Sequence, residues 1–119
     1  MQDPEKLRVS VLAEELAVRM YRFTADFPRE ERFTLVAQMR RAAISVGSNI
    51  YEGAGRQSNR GFAASLYNSY SETVELLFQL RVSRRLGFGK PSIADEIRRL
   101  IKDLQNKLRN LIRRVEGSE

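Results

Sequence analysis

Apolar residues recur at spacings of three and four along four long stretches of this chain, and none of it alternates as a strand would. The first stretch covers about residues 5–24. Val9, Leu12, Leu16, Met20 and Phe23 share one face, and Pro4 after Asp3 is a start signal. Residues 25–28 break the pattern, and Phe27, preceding Pro28, is expected to be extended. A second helix is predicted to start near 28–31 and run to about 52, burying Leu35, Met39, Ala43, Val46 and Ile50. Gly53 and Gly55 stop it, as residues that tolerate a left-handed backbone. The third helix covers about 60–86, with Ser58 or Asn59 as its cap. Its stripe is Phe62, Leu66, Tyr70, Thr73, Leu77 and Leu80. The fourth starts at Ser92 and carries the seam Ile93, Ile97, Leu100, Leu104, Leu108, Leu111 and Val115. Four amphipathic helices on short links predict an all-α fold, an antiparallel up-and-down four-helix bundle, with residues 1–119 as one domain. Helices of this length reach about 30 Å, so the bundle is expected to be elongated.

The second helix carries more than its core requires. On a wheel, Arg41, Ser45, Ser48 and Glu52 fall opposite Met39, Val46 and Ile50. Ile44, Gly47 and Tyr51 form a third strip, with Arg40 at its edge. A buried face needs one apolar strip, so a second one holding an aromatic ring points to another contact, expected to be a second subunit. Gly47 in mid-helix costs about 1 kcal/mol against alanine, which a close backbone approach would explain. The other reading is that Ile44 and Tyr51 widen the same core. Arg41, Ser45, Asn49 and Glu52 form either a hydrogen-bonded polar cluster or a solvated face. Arg41 and Glu52 are too far apart to pair within one helix.

Composition removes several kinds of chemistry. The 119 residues are 42% hydrophobic, the range of a folded chain, and contain no Cys, His or Trp. Without Cys and His there is no thiolate or imidazole metal site, no Ser-His-Asp triad and no Cys-His nucleophile. Glu14 with Glu15, Glu30 with Glu31 and Glu72 with Glu75 read as surface or helix-end residues. The chain is therefore expected not to be an enzyme and to need no cofactor or metal.

Charge supplies the remaining candidate. Lys and Arg number 21 against 15 Asp and Glu, a formal +6, and most of the cations are arginine, whose planar fork suits phosphate. Arg98, Lys102, Arg109 and Arg113 recur along the fourth helix, roughly opposite its leucine seam. They either follow phosphates or form a solvated face. Arg81, Arg84 and Arg85 end the third helix, where cations also suit the helix dipole. The glycine-rich link at 53–61 lacks the lysine and the preceding strand of a phosphate loop, and reads as a helix stop and start. Arg56 and Arg60 stand ready to meet an anion beside it. No apolar run is long enough for a bilayer and no signal peptide opens the chain, so the expected location is the cytoplasm.

Several of these residues carry a resemblance. Phe27-Pro28, Glu31, Leu35, Gln38, Arg40-Arg41-Ala42-Ala43-x-Ser45, Ser48-Asn49-Ile50-x-Glu52-Gly53 and Gly55-Arg56 resemble the signature of the bacterial four-helix-bundle protein family. Its founding members are encoded in intervening sequences within large-subunit ribosomal RNA genes. Leu16, Tyr21, Thr24, Glu75, Gln79 and Leu80 fit as well. Tyr51 stands where the family usually has alanine, and Ser71-Glu72 where it usually has Gly-Ser. The resemblance implies a homopentameric ring and no known enzymatic activity. A related branch, the accessory variability determinant of diversity-generating retroelements, binds a reverse transcriptase and nucleic acid. The expected function is a non-enzymatic oligomeric bundle binding RNA or a ribonucleoprotein. The alternative is a protein-binding adaptor, such as an accessory subunit of a retroelement reverse transcriptase.

Overall fold

The computed structural model describes residues 2–117. Their long elements are α1 (Arg8–Thr24), α2 (Leu35–Ala54), α3 (Asn59–Leu86) and α4 (Pro91–Gly117), with short 3-10 turns at Pro4–Lys6 and Arg29–Glu31. No strand occurs among the described residues. Each helix packs on its neighbours in sequence, and α4 closes back on α1.

Cross-helix bonds set the directions. Arg40 Nε on α2 donates to Thr24 Oγ1 on α1 at 2.9 Å. Ser69 Oγ on α3 donates to the Val46 carbonyl on α2 at 2.8 Å, and Ser83 lies against Met39 nearer the other end. Arg84 pairs with Asp95 at 2.6 Å, while Gln105 Nε2 donates to Thr73 Oγ1 at 3.0 Å. The early part of each helix meets the late part of the next, which is the antiparallel up-and-down arrangement. The chain measures 47 × 23 × 20 Å, elongated as helices of this length require.

Leu16, Met20, Met39, Ile50, Leu66, Leu76, Ile97, Leu104 and Leu108 are fully enclosed. Leu35, Tyr70, Leu77, Ile93 and Leu100, which helical spacing puts in the core, are only half-buried, whereas Leu76 and Ile101 take central positions. The larger departure is on α3, whose buried face includes Ser65, Ser69, Thr73, Gln79 and Ser83. Two of the hydroxyls are satisfied within α3: Ser83 Oγ donates to the Gln79 carbonyl at 2.8 Å and Thr73 Oγ1 to the Tyr70 carbonyl at 2.6 Å. Their small size lets α2 and α3 approach closely. A Cβ built on Gly53 would stand 2.7 Å from Ser65 Cβ, so Gly53 is demanded by helix packing. Gly55, at φ −83°, is not left-handed, so neither glycine ends α2 by the conformation expected of it.

Helix α2 also starts later than its pattern predicts. Backbone bonds from Glu31 to Pro28 and from Arg32 to Arg29 close 3-10 turns, and Thr34 (φ −116°, ψ −100°) breaks the path before Leu35. The third helix starts where expected, because Ser58 Oγ accepts from the Gly61 amide at 3.0 Å. It stops at Gly87, left-handed at φ 76°, with the Phe88 amide bonded back to the Ser83 carbonyl at 2.9 Å.

Candidate nucleic-acid interface

The cations of α4 are placed by the side of the helix they occupy. Arg98, Lys102, Arg109 and Arg113 are all exposed, but the buried face of α4 is displaced from the leucine seam towards them. The burial of Gln105 and Ile112 shifts the core face of α4, and the stripe runs along the flank beside α3. Arg109 shows this directly. Its Nη1 donates to the Tyr70 hydroxyl on α3 at 2.6 Å, its guanidinium stands 5.6 Å from the centre of that ring, and Nη2 donates to Asn106. Arg113 Nη1 reaches Asn110 Oδ1 at 3.5 Å. Arg98 and Lys102 have no hydrogen-bond or ion-pair partner among the described residues. On the other flank Lys107 is engaged by Asp103 at 2.6 Å. Two acids touch the α3–α4 seam. Asp95 is held by Arg84, and Glu116 accepts from the Tyr67 hydroxyl at 3.3 Å. The Glu116 charge, ahead of desolvation and the hydrogen bond, raises the Tyr67 hydroxyl above its ordinary 10.0.

Arg56 and Arg60 lie exposed on either side of the α2–α3 link, without partners among the described residues. The stem of Arg56 lies over Gly61, its Cδ 3.2 Å from where a Cβ there would stand. Ser58 already takes the Gly61 amide and Gly53 is inside α2, so the link is a helix stop and start, with no glycine cradle.

The polar residues of α2 do not form one cluster. Arg41 turns to α3, reaching Glu75 Oε1 at 3.2 Å and Glu72 Oε2 at 3.5 Å. The bond to Glu72, then burial, then the charge of Glu72 push the Glu75 carboxyl above its ordinary 4.5, with Arg41 opposing. Asn49 is half-buried and donates to the Ser45 carbonyl at 2.9 Å. Ser48 and Glu52 are exposed, and the Glu52 carboxylate has no partner among the described residues.

Ile44 and Tyr51 are 45% and 47% exposed in the single chain. Gly47 instead faces α1, and a Cβ there would stand 3.6 Å from Ala13 Cβ, an ordinary contact. No close backbone approach among the described residues accounts for that glycine.

Periodicity alone missed two features. Phe78 and Tyr67 are exposed on the outer side of α3, at 68% and 51%. Reading one stripe per helix leaves the outer positions unexamined; the repeat of large apolar residues at 67, 74 and 78 was the available signal. An open cleft of about 620 Å³ lies between α1 and α4, floored by Val11, Val18 and Ile93 and rimmed by Glu14, Glu15, Glu96, Arg19 and Arg22. Among the described residues no three of His, Cys, Asp and Glu gather as a metal site requires, and no helix is long and apolar enough to cross a membrane.

The profile of the family described as 23S rRNA-intervening sequence protein matches residues 5–110. A crystal structure of a protein of unknown function from the S23 ribosomal protein family, from Bacteroides thetaiotaomicron VPI-5482, is similar at a TM-score of 0.78 and 25% identity. The match covers 88% of this chain and 95% of that one. No curated protein matches.

Proposed function

We propose, for a chain that belongs to the 23S rRNA-intervening sequence protein family, a non-enzymatic role as an oligomeric bundle that binds RNA or a ribonucleoprotein through its basic helix faces. The observation that carries this reading is the α4 flank, where Arg98, Lys102, Arg109 and Arg113 stand exposed along about 22 Å of helix with no ion pair among the described residues. A solvated helix normally intersperses acids among such cations, as α4 does on its other flank with Asp103 and Lys107. Arginine and lysine on a rigid element position a phosphate backbone without reading its sequence. Arg56 and Arg60 extend the cationic surface at the opposite end of α3 from Arg81 and Arg85.

Self-association into a homopentameric ring belongs to the same proposal. It is supported by the exposure of Ile44 and Tyr51 and by Gly47, whose lack of a side chain the single chain does not require. A ring would repeat the basic flank around its circumference and raise avidity for a polyanion.

The test is anisotropy of labelled RNA across a salt series, with assembly mass from light scattering. Affinity should fall steeply with salt, with a log-log slope of about −0.7 to −0.9 per phosphate contact. Absent or salt-independent binding would defeat the RNA reading. Phe33, 84% exposed in the α1–α2 link, and the exposed Leu86 at the same end of the bundle favour a protein-binding adaptor as the second reading. A reverse transcriptase and template repeat beside the gene would promote it.

A further inference from the structure

The outer side of α3 carries rings that the core does not bury. Tyr67, Val74 and Phe78 are exposed at spacings of seven and four, so one side of the helix presents all three over about 16 Å. Arg81 and Arg85 continue that side toward the end of the helix. The bonds Tyr67–Glu116, Tyr70–Arg109, Thr73–Gln105 and Arg84–Asp95 fix the antiparallel register of α3 and α4. In that register Arg98 comes level with Arg81, and Lys102 with Leu77 and Phe78. Aromatic rings and free cations therefore share one face.

The acids around this face are occupied or peripheral. Asp95 is tied to Arg84 at 2.6 Å. Glu72 and Glu75 turn to Arg41, and Asp103 to Lys107. Glu116 sits at the Tyr67 end, where its charge repels phosphate and sets the limit of the track.

We propose that the α3–α4 face binds single-stranded RNA, with unpaired bases stacking on Phe78 and Tyr67 and phosphates following Arg81, Arg98, Lys102 and Arg109. This rests on the RNA reading above and adds the state of the strand. A duplex offers this face its phosphates but hides the faces of its bases, leaving the Phe78 ring with nothing to stack on. An unpaired strand offers both at once, and alternating rings with cations is how sequence-tolerant single-strand surfaces are built. A protein partner is the weaker match, because it would have to supply acids in step with this run of cations, whereas a phosphate backbone carries its charge along its whole length.

The experiment titrates the full-length protein with a labelled oligouridylate and with a hairpin duplex of equal charge. Tighter binding of the single strand is expected. Phe78→Ala and Phe78→Leu should weaken it about tenfold, within the range of base stacking on an aromatic side chain, and leave duplex affinity unchanged. Phe78→Trp should retain it. Phe78 is an exposed residue, so these variants should keep the parent's helical content. Equal affinity for the two RNAs, with Phe78→Ala silent, overturns the single-strand proposal while the RNA reading stands. No binding of either overturns both. A changed assembly mass in Phe78→Ala assigns the face to a subunit contact and also overturns the proposal.

Discussion

Gly47 on α2 stands opposite Ala13 on α1 with room for a methyl group, since a Cβ at Gly47 would lie 3.6 Å from Ala13 Cβ. Six residues later Gly53 meets Ser65 with no such room, at 2.7 Å. One helix thus holds two glycines with different physical reasons.

Their alanine variants should separate those reasons. Gly53→Ala forces Ser65 and Phe62 away from α2 and should cost about 1–3 kcal/mol, the usual cost of overpacking. Gly47→Ala should not destabilise the single chain, and by helix propensity should gain up to about 1 kcal/mol. Urea unfolding at low protein concentration measures both. If Gly47→Ala stabilises the chain yet reduces assembly mass, the missing side chain serves a neighbour outside the chain.

The surface strip itself is tested by charge. Tyr51→Glu and Ile44→Glu introduce carboxylates at exposed positions, so helical content should stay unchanged. Light scattering should report a smaller species if this strip meets a second subunit. An unaltered mass removes Ile44 and Tyr51 from the interface.

Glu75 gives a pH signature. Its carboxyl is raised above 4.5, chiefly by its bond to Glu72, so the folded state holds this proton more tightly than the unfolded chain does. The contribution to stability is fully present below about pH 4.5 and is lost as pH rises through the raised folded value. Glu75→Gln should flatten that decline, and at pH 7 it should be no less stable than the parent. Unfolding across pH 4–7 checks the slope; a parallel curve for the variant would remove Glu75 as its source.

The sequence made the four helices and their order legible because leucine and isoleucine at helical spacing leave few alternatives to a bundle. It did not make the α2–α3 contact legible. Ser65, Ser69 and Ser83 read as surface residues on any hydrophobicity scale, yet they are buried because the two backbones are close. The same failure affected the basic stripe. Arg98, Lys102, Arg109 and Arg113 stand opposite the leucine seam, but Gln105, polar in sequence, is buried on Thr73 and brings the core face towards that flank. Polar residues that pair across a core are invisible to periodicity, since their partners lie tens of residues away.

The α4 flank yields the sharpest division between charge and structure. Arg98 and Lys102 have no bonded partners among the described residues, so Arg98→Glu and Lys102→Glu should leave stability within about 0.5 kcal/mol. Each should weaken RNA binding and lower the salt slope by about 1, the signature of one lost phosphate contact. Arg109→Glu also removes the bond and ring contact to Tyr70, and should lose stability as well as affinity. Arg109→Lys keeps the charge but loses the planar fork on Tyr70, so it should retain most of the salt slope while unfolding earlier. Reversal of all four cations, Arg98, Lys102, Arg109 and Arg113, should abolish RNA retention in a chain that remains helical. Unchanged retention in that variant would mean the phosphates lie elsewhere, with Arg56 and Arg60 the next cations to reverse.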